Sequence, residues 1–441
     1  MIPESSLFDQ STVVNIMESD EVVQGYRAFF SLFDWSLVER WEADRAGQGS
    51  HGHPMSAYIK AFLVRINEGI IYTSRLRAFL IKHPLLVIEL GFQLKLDNNA
   101  PYGFDYAKTV PCEPWLRARL RTLDQSLLQD LLAATVRDLK VEIEGLGEVV
   151  AFDTKHIYAW VKENNPRVSL KDRYEKDRQP AGDPDCKVGV KRSTNLEQPD
   201  GSTKKKKEYL WGYGSGVAAA TVADYGDVVL AEYTQPFNQN DITYYRPLYQ
   251  KAATTLGHFP VHTTGDAAFD AWFVHDDMAR HGGIAAVPLN QHGHPTFKRD
   301  TDGIPLCPKG LRMQSKFQFN HTNGYRAKRY GCPLLYPERT GEDCDHEQFK
   351  KGKGCVKDIN IEAGGIMRVT LDRTSLLYKL VYNQRTCCER INSQAKDLGI
   401  EQPKVRNIHS VRNLNTLTYL VINARALSRA TSINSGLLPM R

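Results

Sequence analysis

No run of about 18 or more consecutive apolar residues occurs in the 441-residue chain, so no helical membrane span is expected. The first 25 residues are acidic and polar and lack the basic start and apolar stretch of a signal peptide. A cytosolic protein is expected on that ground. Cysteine is sparse: the eight residues are Cys112, Cys186, Cys307, Cys332, Cys344, Cys355, Cys387 and Cys388, without the dense, regular spacing of a secreted disulfide scaffold. Reduced thiols follow. A strong charge excess is missing too, the net charge being only +6. The hydrophobic share of 41% and charged share of 24% are those of an ordinary globular protein with room for two or three domains.

The small charge excess is unevenly placed. Residues 164–207 hold 12 Lys/Arg against 7 Asp/Glu, and residues 371–441 hold 11 against 4. A polyanion such as DNA would account for both clusters, although either one alone is equally well read as a solvated face. Residues 1–147 read as helical. The Leu-, Ile- and Ala-rich segment Pro54–Gly91 is broken by Gly69 and Pro84, and a single helix is expected over Pro114–Leu139.

At Val149 the pattern changes. The apolar run GEVVAFD reads as a strand ending on Asp153, and residues 164–208 read as a long polar loop that includes a flexible run Lys204–Lys207. Strands are expected at Tyr209–Val222 and Asp227–Thr234, with a turn on Asp224, Tyr225 and Gly226, where glycine accepts a positive φ. A helix over Tyr244–Leu256, a strand ending at Asp266, a helix over Ala271–His281 and a strand over residues 283–290 follow. Residues 291–365, rich in Gly, Pro, Lys and Cys, read as an insertion. A helix is expected from Ser375 to Gly399, and a last amphipathic helix covers HSVRNLNTLTYLVINARALSRA. This order predicts an α/β chain with an RNase H-like mixed sheet flanked by helices. The expected domains are 1–147 (helical, DNA-end-binding), 148–290 with 366–441 (catalytic) and 291–365 (insertion).

Three carboxylates stand out. Phosphodiester transfer needs an activated nucleophile and a stabilised leaving oxygen, which two Mg2+ ions (or Mn2+) about 4 Å apart supply. Mg2+ takes hard oxygen ligands, so carboxylates delivered by different elements suit it. Asp153 and Asp266 each follow a strand-like run, which alone is weak evidence. Glu389 is more specific, because Tyr382, Arg385, Glu389 and Lys396 are spaced by 3, 4 and 7 residues along one helical face. Glu389 would hold metal, Arg385 and Lys396 would grip phosphates, and Tyr382 would support them. The bland reading is a surface with i,i+4 ion pairs such as Arg385–Glu389.

With these residues the sequence resembles the bacterial insertion-sequence transposases of the DDE superfamily that share a Y-R-E-K signature. The likeness runs through AFDTKHI around Asp153, TTGDAAFDA around Asp266, Tyr382/Arg385/Glu389/Lys396 and the N-terminal HPMSAYIKAFLV, spanning roughly residues 50–430. The resemblance implies cleavage at the ends of a mobile element and transfer of the 3′ ends to target DNA. It implies work as a dimer or higher oligomer on terminal inverted repeats, in the bacterial cytoplasm at the nucleoid. Some relatives hold a flipped base on an insertion aromatic. The insertion here has no Trp, and Phe317, Phe319, Tyr325, Tyr330 and Tyr336 are left as candidates. Two rival functions are a repurposed DNA-binding protein without cleavage and a nuclease of the same fold without strand transfer.

Other features carry less. Cys307, Cys332, Cys344 and Cys355, with His321 and His346, invite a structural zinc site, but no CxxC pair occurs and plain thiols are the first expectation. Cys387 and Cys388 are adjacent and point apart, which does not suit a shared metal. His156, Asp270 and His275 are read as local structural residues before catalytic ones.

Overall fold

The computed structural model describes residues 10–45, 52–198, 203–290 and 298–438. The chain is mixed α/β. Its front is α1 (Gln10–Ser19), α2 (Glu21–Phe30), α3 (Ser36–Ala43), α4 (Met55–Asn67), α5 (Thr73–Lys82), α6 (Pro84–Leu90), α7 (Tyr106–Thr109), α8 (Glu113–Thr122) and α9 (Gln125–Glu142). Then come β1 (Val149–Tyr158), β2 (Lys187–Glu197), β3 (Thr203–Val222), β4 (Gly226–Pro236) and α10 (Ile242–Leu256). A second series holds β5 (His262–Thr264), α11 (Trp272–Arg280), β6 (Ala285–Ala286), β7 (Gln314–Asn320), β8 (Arg326–Gly331), α12 (Glu347–Lys350), β9 (Val356–Asn360), α13 (Ala363–Thr370) and α14 (Leu376–Asn383). The chain ends in α15 (Thr386–Asp397) and α16 (Ile408–Asn434). Among the described residues no helix is long and apolar enough to cross a membrane.

The chain falls into two compact units, residues 1–259 with 384–441, and residues 260–383. These limits differ from the expected 147/148 and 290/291, because the N-terminal helices share one core with the strands: Phe62, Leu128, Val217 and Leu420 belong to the same buried cluster.

In the first unit β3 is the spine. It pairs antiparallel with β1, Asp153 opposite Val217, with β2 along its first half and with β4 along its second. Alternation sorts its residues between two layers. Gly214 and Gly216 face α10, where an added Cβ would stand 2.1 Å from Tyr244 Oη and 2.5 Å from Tyr244 Cδ1. Ser215, on the other side, lies 3.3 Å from the Tyr419 hydroxyl of α16. The β3–β4 turn forms as expected, with Asp224 at φ 71° and Gly226 at φ 97°.

Four local expectations are corrected. The helix over Pro114–Leu139 is two, since Asp124 accepts from Ser126 N at 2.9 Å as the N-cap of α9, and Asn413 Nδ2 takes the last α8 carbonyls, Leu120 O at 2.8 Å and Leu123 O at 3.0 Å. The polar stretches 187–197 and 203–208 are no loop but the β2–β3 ladder, and Lys204–Lys207 run within β3. Its outer end is solvated, so polar side chains cost nothing there and the composition hides the strand. The helix expected over Ser375–Gly399 stops at Asn383 and restarts at Thr386. Finally, α16 is not amphipathic: Asn413, Asn415, Thr416 and Asn423 are buried along with its apolar residues, each supplied with a hydrogen bond.

In the second unit β5 and β6 pair parallel, and β7, β8 and β9 form an antiparallel sheet within the expected insertion. The insertion's first residues, 291–297, lie outside the described residues. Asp270 is a buried anchor of this unit: His275 Nε2 lies 3.2 Å from it, Arg368 donates two bonds at 2.8 and 2.7 Å, and Asn290 N donates at 2.6 Å. The structural reading of Asp270 and His275 fits this. Helix α13 lies tight on α11 because Gly364 donates to Asp276 Oδ1 at 3.1 Å and a Cβ on Gly364 would stand 2.2 Å from Asp276 N. Gly364→Ala is expected to lower stability by about 1–3 kcal/mol through that overlap with backbone, read as a shifted thermal midpoint.

Candidate metal centre

Asp153 does not end its strand. β1 continues to Tyr158, and Asp153 sits at its middle, half-buried. Period-2 alternation puts Lys155 on the same side and Phe152 on the other, where it packs edge-on to Tyr245 of α10 at 5.0 Å. Asp153 Oδ1 accepts from Thr154 N at 2.8 Å, and Oδ2 accepts from Asn392 Nδ2 at 3.0 Å. That second bond ties the strand to α15.

Helix α15 buries Cys387, Cys388, Ile391 and Ala395 as its apolar stripe. Glu389 and Asn392 are three residues apart, so their side chains project from neighbouring positions one turn apart, about 5–6 Å between Cβ atoms. The bond from Asn392 to Asp153 therefore brings the Glu389 position to the Asp153 side of the strand. Asn392 was not legible as a site residue. Its spacing from Glu389 is an ordinary helical one, and only the fold sets it beside Asp153. Its Oδ1 is buried and has no hydrogen-bond partner.

Arg385 stands at the N-cap of α15 and pairs with Glu389 at 2.8 Å. The i,i+4 pair weighed from the spacing thus exists. Glu389 is 53% exposed, and an exposed pair of this kind contributes only about 0.2–1 kcal/mol. Lys396 lies 3.7 Å from Glu401. Tyr382 is on α14 rather than α15, stacked on Tyr378 at 5.7 Å. The four signature residues therefore do not share one continuous helix. The ladder is broken between them, where Cys387 N and Cys388 N bond back only three residues, to Gln384 O and Arg385 O.

Asp266 belongs to the second unit. It lies two residues beyond β5, half-buried, and caps the short turn Ala267–Phe269 by accepting from Ala268 N at 2.8 Å.

Behind Asp153 the surroundings are unusual for a surface carboxylate. Lys155 is half-buried, but its Nζ is shielded from solvent, 4.5 Å from the Tyr419 ring centre and without a hydrogen-bond partner. Burial pushes its ammonium down to about 7, against the opposing pull of Glu232 and Glu401. Burial likewise pushes the Cys388 thiol well up, helped by its bond to Cys387. His156 faces the other way, edge-on to Phe237 at 4.6 Å, and burial pushes it down to about 4, a structural setting.

Among the described residues no three His, Cys, Asp or Glu side chains are gathered as an ion-binding cluster. Cys307, Cys332 and Cys355 line the small core of the insertion, with Cys344 packed against it. No protein-family model matches the chain, and no curated protein matches it.

Proposed function

We propose that this chain is a metal-dependent DNA transposase of the DDE class, built on an RNase H-like catalytic core. The observation that carries the reading is the Asn392–Asp153 bond, which sets the Glu389 helix against the Asp153 strand from a sequence separation of 239 residues. The donors at this place are hard oxygens: Asp153 and Glu389 carboxylates and the unpartnered Asn392 Oδ1. That set suits Mg2+ or Mn2+ and suits zinc or copper poorly. Asp266 takes the role of third carboxylate in this reading, supported by its order in the sequence and its place just after a strand.

Two bound ions would supply an activated nucleophile and neutralise the departing 3′ oxygen. The protein's own work is binding and aim. Asp153 is held by Thr154 N and Asn392 Nδ2, which fix the orientation of its carboxylate. Glu389 must turn from Arg385, which costs little at an exposed pair. Arg385 released in that way is a bidentate donor for a phosphate beside the cut, and Lys396 is a second cation two turns on. Tyr382 supports the bound strand. The substrate is DNA, terminal inverted repeats and a target, handled by a homodimer or higher oligomer in a bacterial cytoplasm at the nucleoid, because two ends are processed together.

The deciding experiment incubates the full chain, Mg2+ or Mn2+, and DNA made from the sequences on either side of the gene, tested for short inverted repeats, with a target plasmid. Nicks at the repeat ends and joined plasmid products are expected. Cutting without joining leaves a nuclease, and binding without cutting under either metal leaves a repurposed DNA binder. A smaller prediction concerns Asn392. Asn392→Ala should weaken Mn2+ binding by about 10–100-fold in a calorimetric titration, as loss of a group orienting a metal ligand does.

A further inference from the structure

A cavity of about 1290 Å3 opens in the first unit where β1 ends. Its walls are the loop after Tyr158, the middle of β3 and the segment Gln402–Arg406 that follows α15. It exceeds the roughly 300–1,000 Å3 of a small-molecule site. Two chemistries alternate along it. Cations come from Lys162, Arg167, Lys207, Lys404 and Arg406, against a single lining carboxylate, Glu208. Aromatic faces come from Tyr158, Trp160, Tyr174 and Tyr209.

The aromatics are not core residues. Tyr209 is 41% exposed, Trp160 and Tyr174 are half-buried, and Tyr72 at the rim is 45% exposed. They are nevertheless held in place. Tyr174 stacks on Tyr209 at 6.0 Å and 30°, and the Arg406 guanidinium lies 4.9 Å over Trp160. The loop that carries Tyr174 is anchored by Trp211 Nε1, which donates to Arg173 O at 2.7 Å. Cations alone would suit any phosphate backbone. Ordered, open aromatic faces have no use for a duplex, whose bases show only their edges, but they take the faces of unpaired bases.

The groove starts at the end of the strand that carries Asp153. From Asp153 to Tyr158 the strand advances five residues, about 16 Å at 3.3 Å each. Tyr158 N donates to Glu401 O at 2.9 Å, which joins the end of β1 to the segment that α15 leads into. A DNA strand leaving the Asp153–Glu389 pair along β1 covers that length in at most about five nucleotides, the number at the duplex rise of 3.4 Å per step, and in fewer when unstacked and extended.

We infer that this groove binds an unpaired stretch of DNA running from the metal centre, stacking its bases on Trp160, Tyr174 and Tyr209 and its phosphates on Lys207, Lys404 and Arg406. This rests on the reading of the chain as a DNA-processing enzyme. The test measures binding of the full chain, without divalent metal, to two fluorescent DNAs by anisotropy. One is a blunt repeat-end duplex, the other the same duplex with an unpaired tail of about six nucleotides, one of them 2-aminopurine. The tailed DNA should bind at least about ten-fold tighter, with 2-aminopurine fluorescence quenched. Trp160→Ala and Tyr209→Ala should each remove about ten-fold of tail binding, the stacking of one base, and leave blunt binding unchanged. Trp160→Phe and Tyr209→Phe keep the ring and should keep the preference, which separates stacking from a folding defect. Arg406→Gln should weaken the tailed DNA more than the blunt. Equal affinity for both DNAs, with the wild type still cutting repeats, would overturn the groove and spare the enzyme. No binding to either DNA overturns both.

Discussion

Asp153→Asn is expected to leave the protein folded and bound to DNA while its metal-dependent cutting falls by at least about a thousand-fold. The substitution keeps size and keeps an oxygen for Thr154 N, while its new NH2 cannot accept from Asn392 Nδ2, so the Asn392 amide must turn and present its unpartnered Oδ1 for the strand to stay tied to α15. What it removes is the negative charge that a divalent ion needs. Stabilisation by a bound metal amounts to several kcal/mol of the barrier, and each 1.4 kcal/mol is a factor of ten, so a loss of about 4 kcal/mol gives the thousand-fold. Glu389→Gln should behave alike, with one difference. It also breaks the ion pair with Arg385, so DNA binding in the absence of metal should rise slightly as that guanidinium is freed. Arg385→Ala should weaken DNA binding and lower the rate by a smaller factor, because a phosphate contact is lost and the metal ligand stays. Single-turnover cleavage with saturating Mn2+ and anisotropy without metal separate these effects. Cutting within ten-fold of wild type in Asp153→Asn would sink the metal assignment.

How far the sequence revealed this depends on how local each cause is. The helices of Pro54–Gly91 were legible because their breaks are chemical: Gly69 takes a φ of 62°, and Pro84 opens α6. The β3–β4 hairpin was legible through Gly226. Glu389 was legible from spacing on a short stretch of one helix, and Lys396 with it. The break before Thr386 was not, since Gln384 and Arg385 are good helix formers and nothing in the string Q-R-T-C-C forces a stop. The β2–β3 ladder was hidden because a solvated hairpin end is held by backbone bonds and places no demand on side-chain polarity. Asp153 as a strand-middle residue, Asn392 as its partner and the aromatic groove were hidden for another reason. Each joins positions distant in sequence, β1 to β3 in the first case and residues more than two hundred apart in the other two, a relation that only the fold supplies.

The largest effect on stability is expected from a residue with no part in the chemistry. Glu232 on β4 is 1% exposed, a carboxylate inside the core. It is tolerated because it is saturated. Gln129 Nε2 and Thr416 Oγ1 donate to one oxygen at 2.6 Å each and Gln125 Nε2 at 3.3 Å, and Thr234 Oγ1 and Asn415 Nδ2 donate to the other at 3.1 and 3.2 Å. The donors come from α9, β4 and α16, so this one group joins three elements of the first unit. Its charge favours the ammonium of Lys155, whose Nζ is shielded from solvent. Glu232→Ala removes the acceptor of five bonds and takes from Lys155 the larger of the two carboxylate charges that favour its ammonium. Breaking one partner of a buried, bonded charge costs about 3–5 kcal/mol, and at roughly 2–4 °C per kcal/mol the thermal midpoint should fall by about 10 °C. Glu232→Gln retains one accepting oxygen and should lose about half as much. Replacing Glu232 and Lys155 together, by Leu and Met, should cost less than Glu232→Ala alone, because no unpaired charge then remains in the core. A double variant that is less stable than Glu232→Ala would show that the two charges are not coupled, and that the hydrogen bonds from α9 and α16 carry the whole effect.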